Sequence, residues 1–166
     1  GHGLDPEKDF GPLISDTQRK RVMSYIQSGI DEGAELITGG KMVGDKGFFV
    51  KPTIFTQIHG DMKIAKEEIF GPVLCAQSFD NNDLEAIAQQ ANDTSYGLSG
   101  SVWTQNISVA HKMAMLINAG QVSINWHAAV DPAIPFGGNK QSGWGREFGK
   151  EGLEPYLKTK ATSVIF

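Results

Sequence analysis

The sequence holds one thiol, Cys75, so nucleophilic chemistry is weighed there first. A catalytic cysteine needs an accessible setting that favours the thiolate. Cys75 instead lies among Val73, Leu74 and Ala76, where cysteine behaves as a small hydrophobe. The histidines His2, His59, His111 and His127 have no metal-ligand spacing, and a single cysteine completes no thiolate site, so no metal centre is expected. Gly137-Gly138, followed by Gly143 and Gly145, has the glycine density of a phosphate-cradling loop but lacks its Gly-Lys-Ser/Thr ending. Two denser runs remain. Lys66-Glu67-Glu68-Ile69-Phe70-Gly71-Pro72 puts carboxylates beside an aromatic ring. Pro135-Phe136-Gly137-Gly138-Asn139-Lys140-Gln141-Ser142-Gly143-Trp144-Gly145-Arg146-Glu147 falls in an irregular stretch, 126–149, and long irregular stretches in compact domains are usually functional. Taken singly, these residues have plain structural readings: Glu68 an exposed helix-end acid, Phe70 and Phe136 core aromatics, Glu147 an ion-pair partner of Arg146 or Lys150.

Elements with identifiable signals must position such groups. Ser15-Asp16-Thr17-Gln18 has capping-box spacing, and Val22, Met23, Ile26 and Ile30 follow at helical period until Gly33. Strands are expected at 35–38, 48–50, 53–58 and 73–79, with a turn at Gly44-Asp45-Lys46-Gly47 and another at Asp80-Asn81-Asn82-Asp83. Leu84, Ile87, Ala88 and Ala91 mark a second helix, 98–104 a strand, and Val109, Ala110, Met113, Leu116 and Ile117 a third helix. Gly120 stands where a left-handed helix cap would sit, followed by a strand at 121–125, a short helix at 150–154 and a terminal strand at 159–166. Strands alternating with helices argue for an α/β layer structure with largely parallel pairing. With 166 residues, 40% of them hydrophobic, one compact core is expected. A net charge of −4 provides no basic footprint for nucleic acid. No apolar run has bilayer length, and Gly1-His2-Gly3-Leu4-Asp5-Pro6 holds no signal-peptide core, so a soluble cytoplasmic protein is expected.

The two dense runs, in this order, resemble aldehyde dehydrogenases. Gly11-Pro12-Leu13-Ile14, Asn92-Asp93-Thr94-Ser95-Tyr96-Gly97-Leu98 and the Gly-x-Val-x-Ile-Asn run from Gly120 to Asn125 agree, and the likeness covers essentially the whole chain. It implies the C-terminal third of such an enzyme: a three-layer, mostly parallel open sheet with flanking helices. Residues 3–157 would form part of the catalytic domain and 158–166 an oligomerisation strand, with the N-terminal nucleotide-binding domain absent. The family's nucleophilic cysteine, oxyanion-holding asparagine and general-base glutamate would all lie upstream.

By the same resemblance, the cofactor is NAD or NADP. Glu68 matches a glutamate that holds the nicotinamide ribose, where a carboxylate accepts both hydroxyls, and Phe70 a ring that borders the nicotinamide. Gln18 matches a residue that reaches toward the ribose, and Arg21 stands where relatives often have lysine. Phe136 and Val130 would wall the substrate tunnel, with His127 near it, and Glu147 matches a glutamate that relays protons along a water path. The loop 133–145 looks most like that of members acting on aryl-acetaldehydes. The implied partners are an aldehyde and further copies of the chain, paired through the terminal strand. Lys158 departs from relatives that carry a carboxylate there. Two rivals stand beside this reading. One is a noncatalytic, self-associating module. The other is an oxidoreductase of the same fold acting on acyl phosphates or acyl-CoA, which the Glu-Glu-Ile-Phe-Gly-Pro run disfavours.

Overall fold

Ser15 starts the first helix by accepting the Gln18 N–H at 3.1 Å, and α1 (Asp16–Asp31) ends before Gly33, whose φ of +93° leaves the helical path. The reciprocal half of the expected capping box is missing, because the Gln18 side chain turns instead to the 67–72 loop. The structure, a computed structural model, describes residues 1–79, 83–127 and 130–166. Asp80, Asn81 and Asn82 of the expected turn, and Ala128 and Ala129 of the irregular stretch, lie outside them. Composition suggests one core, yet the chain divides into two compact units, Gly1–Asn82 and Asp83–Phe166.

In the first unit, β1 (Glu35–Thr38), β4 (Thr53–Thr56) and β5 (Val73–Cys75) form one sheet in that order, β1/β4 antiparallel and β4/β5 parallel. Between β1 and β4, the hairpin β2 (Met42–Val43) and β3 (Phe49–Val50) closes where Gly44 and Gly47 take positive φ. A four-residue helix, α2 (Lys63–Lys66), precedes β5. Val22, Tyr25 and Ile26 from α1 pack with Phe55, Ile64 and Ile69 in the core, each large apolar side chain contributing about 1.5–3 kcal/mol of burial. Buried Thr53 is satisfied, its hydroxyl accepting from Gly40 N–H at 2.9 Å and donating to Lys51 O at 2.8 Å.

The second unit opens with α3 (Leu84–Asn92), capped by Asp83, followed by β6 (Tyr96–Gly97) and β7 (Ser99–Val102). Next, α4 (Ile107–Leu116), capped by Asn106, crosses to β8 (Gln121–Ile124), which pairs parallel with β7 as a βαβ crossover. Within the irregular stretch, β9 (Asn139–Lys140) pairs antiparallel with β6, and a 3₁₀ segment (Glu151–Tyr156) stands where a short helix was expected. Pro155 lies inside that segment and supplies no N–H for a longer helical ladder.

The α/β class and its flanking helices are therefore observed, but pairing is mixed rather than mostly parallel. β4/β5 and β7/β8 are parallel, whereas the hairpin, β1/β4 and β6/β9 are antiparallel. Alternation of elements alone does not distinguish a short hairpin from a crossover. One local expectation also changes. Gly120 is not left-handed; α4 is capped by extended Ile117, and Gly120 is required because a Cβ there would stand 1.7 Å from Gly137 O. Residues 159–166 pair with no described strand of the chain and are exposed.

Candidate functional site

Four residues expected at the cofactor come together in the first unit. The segment between α2 and β5 has no ladder of its own, and α1 fixes it by side chains. Gln18 Nε2 donates to Phe70 O at 2.8 Å and Ile69 O at 3.4 Å, and an Arg21 guanidinium nitrogen donates to Glu68 O at 3.1 Å. From below, Ile69 is buried in the core, and Gly71 lies so close to α1 that a Cβ would be 2.5 Å from a Val22 methyl. Thr53 N–H then donates to Pro72 O at 2.8 Å, joining the loop to β4.

This anchorage holds Phe70 in an uncommon state. Its φ is +56° and its side chain is 74% exposed. A non-glycine residue there carries roughly 1–3 kcal/mol of local strain, which persists only where surrounding contacts over-determine it, often at functional sites. Glu68 is exposed, and its carboxylate bonds to none of the described residues. An exposed acceptor and an exposed ring, two residues apart on a braced backbone, suit a ligand that offers hydroxyls and a flat face. Gln18 and Arg21 act here on the loop's carbonyls.

Tyr25 and Glu67 were not singled out from sequence, yet the Tyr25 hydroxyl donates to Glu67 Oε2 at 2.7 Å. The available signal is spacing: Gln18, Arg21 and Tyr25 are three and four residues apart and share one face of α1. Hydrogen bonding to Glu67, then burial, raises the Tyr25 phenol above its ordinary 10.0.

The substrate residues fall in the second unit. Phe136 is half-buried, and its backbone exchanges two hydrogen bonds with Glu147 at 2.8 and 2.7 Å, an isolated antiparallel bridge. The Glu147 carboxylate is exposed and forms no ion pair with Arg146, whose guanidinium goes to Gly138 O, Gly145 O and Asn139 Oδ1. Val130 borders an open groove of about 620 Å³ with Ile124, Trp126 and Ile134. His127 Nδ1 lies 2.8 Å from Ser101 Oγ, and neither His127 nor Phe136 lines that groove. Cys75 is half-buried in β5, and burial raises its thiol above the ordinary 9.0, which disfavours the thiolate. Among the described residues, no helix is long and apolar enough to cross a membrane.

Comparison with known proteins shows what the chain as a whole is similar to. The model of the aldehyde dehydrogenase family matches residues 1–162. A mitochondrial aldehyde dehydrogenase of Leishmania tarentolae is 45% identical over 161 residues, 97% of this chain and 32% of that protein. The NAD+ complex of aldehyde dehydrogenase from Bacillus cereus superposes with a TM-score of 0.89 at 47% identity, over 95% of this chain and 32% of that one. Indole-3-acetaldehyde dehydrogenase in complex with NAD+ gives 0.92 at 44% identity, over 98% and 33%. The chain thus spans about a third of the length of the relatives it matches.

Proposed function

This chain belongs to the aldehyde dehydrogenase family, and we propose that it serves an NAD(P)-dependent enzyme that oxidises an aldehyde to the carboxylic acid through a thioester. The observation that carries the proposal is the braced pair of exposed Glu68 and left-handed, exposed Phe70. When bound, the cofactor supplies the hydride acceptor. Glu68 accepts hydrogen bonds from the ribose hydroxyls, and the Phe70 ring borders the nicotinamide. Gln18 and Arg21 take part by holding the loop that presents both.

On the substrate side, Phe136 and Val130 act as tunnel walls with His127 nearby. The Glu147 relay role rests on its motif match, since the carboxylate is exposed in this chain. An aryl-acetaldehyde substrate is supported by the 133–145 loop and by likeness to a protein named for indole-3-acetaldehyde. Self-association is assigned to residues 158–166, where Val164, Ile165 and Phe166 are exposed apolar side chains in a tail that pairs with no described strand. That tail also favours a second reading, a self-associating module without catalysis of its own. The 3–157 and 158–166 division and a cytoplasmic setting belong to the same proposal. The isolated 166-residue chain is expected to be inactive, because its only thiol is the half-buried Cys75.

The deciding experiment compares the purified chain with a chimera in which it replaces the matching third of the Bacillus cereus enzyme. The chimera should form NADH with phenylacetaldehyde at a higher kcat/KM than with a short aliphatic aldehyde, and the chain alone should form none. A folded chimera without turnover favours the module. Turnover by the isolated chain that disappears in Cys75→Ser would overturn both the inactivity and the reading of Cys75.

A further inference from the structure

Two carboxylates stand side by side in the 67–72 loop, and the structure treats them differently. Glu67 is tied to α1 through the Tyr25 hydroxyl at 2.7 Å, while its N–H donates to Lys63 O at 3.0 Å. Glu68 is held only through its backbone, by Arg21. Tyr25 is itself fixed. It is buried among core residues, the Arg21 guanidinium lies 5.5 Å from its ring centroid, and the Lys63 ammonium lies 4.8 Å from it. We propose that Tyr25 is a positioning residue that sorts these carboxylates, drawing Glu67 onto α1 so that Glu68 alone is presented to a ligand diol. This rests on the functional reading above.

Released from Tyr25, the Glu67 carboxylate would bring a second negative charge beside the diol-accepting Glu68 and remove an anchor from the loop that holds Phe70 left-handed. The phenol, shifted upward, remains a donor throughout the neutral range. Gln18 and Arg21 grip carbonyls, which any sequence would supply. The Tyr25 contact instead recognises the Glu67 side chain, so it discriminates between two adjacent acids. Glu67→Gln keeps an acceptor oxygen for the phenol without the charge, whereas Glu67→Ala and Tyr25→Phe each break the contact from one side.

Amide hydrogen exchange of residues 66–70 in the 166-residue chain reads the anchor, and the NAD+ dissociation constant of the Bacillus cereus chimera reads its use. Tyr25→Phe should raise both by about tenfold, the factor for losing one hydrogen bond to a charged acceptor, whereas Glu67→Ala should raise the exchange by a similar factor but the dissociation constant by less, because it leaves no second carboxylate beside Glu68. Glu67→Gln, which keeps a weaker neutral acceptor for the phenol, should raise each by no more than about threefold. Unchanged exchange in Tyr25→Phe and Glu67→Ala overturns the inference without reference to any cofactor. Faster exchange in Tyr25→Phe with an unchanged dissociation constant overturns it as well. A chimera whose parent form binds no NAD+ counts instead against the functional reading.

Discussion

Substituting Gly71 by alanine isolates the packing of the candidate loop on α1. The glycine does not need positive φ, so alanine brings no backbone strain, only a methyl group. That methyl would lie 2.5 Å from Val22 Cγ2 and 3.0 Å from Cγ1, while Val22 is fully buried. Restoring ordinary carbon separation needs a shift of about 1 Å, and overpacking of this kind costs about 1–3 kcal/mol. Val22→Ala removes both γ carbons and costs about 2 kcal/mol through lost burial and a cavity. It also leaves only Val22 Cβ at 3.4 Å from the new methyl, an ordinary contact. The double variant should therefore lose about 2 kcal/mol, whereas independent effects would sum to about 4. All three tryptophans, Trp103, Trp126 and Trp144, lie in the second unit, so the assay is native-state exchange of α1 amides rather than fluorescence. Additive losses would refute the claim that Gly71 is selected by contact with Val22.

Three further outcomes are expected. Gly120→Ala sets a methyl 1.7 Å from Gly137 O, a backbone atom, and should destabilise the second unit by about 3 kcal/mol; urea unfolding followed by tryptophan fluorescence checks this. Hydrogen bonds from Lys20, then Arg19, hold the Asp16 carboxyl below its ordinary 3.8. Its stabilising contribution is therefore complete above that value and lost as pH falls through the depressed one. Asp16→Asn should lower the urea midpoint at about pH 6, by an amount that shrinks as the pH falls below 3.8. Deleting residues 159–166 should lower the oligomeric state in sedimentation, and identical sedimentation of both forms would remove the tail from the assembly.

Much of the chain's order was legible. The Ser15 cap, the apolar stripes of α1, α3 and α4 and the short strands near 35, 53, 73, 99 and 121 follow from local chemistry, and the structure has them within a few residues. What stayed hidden depends on contacts distant in sequence. Gln18 has capping-box spacing, but whether its amide turns back or crosses to Phe70 O, 52 residues away, is decided by tertiary packing. Gly120 sits just past a helix, so the turn signal and the close approach of Gly137 cannot be told apart by position. Parallel and antiparallel neighbours share the same short apolar runs. The division after residue 82 falls within the Asp80-Asn81-Asn82-Asp83 run, which in sequence has the signal of an ordinary turn and nothing that marks a boundary between units. At the candidate site the motif marked Glu68 and Phe70, while the Tyr25 hydroxyl on Glu67 needed coordinates.

In the proposed enzyme, Glu68 and Phe70 contact the nicotinamide riboside. The NAD+ dissociation constant of the Bacillus cereus chimera tests that directly. Glu68→Gln removes a charged acceptor for hydroxyls and should weaken binding by about ten- to a hundredfold, and Phe70→Ala by about tenfold, with exchange of the α1 amides unchanged. Both variants binding NAD+ as tightly as their parent would contradict the placement of the cofactor on this loop.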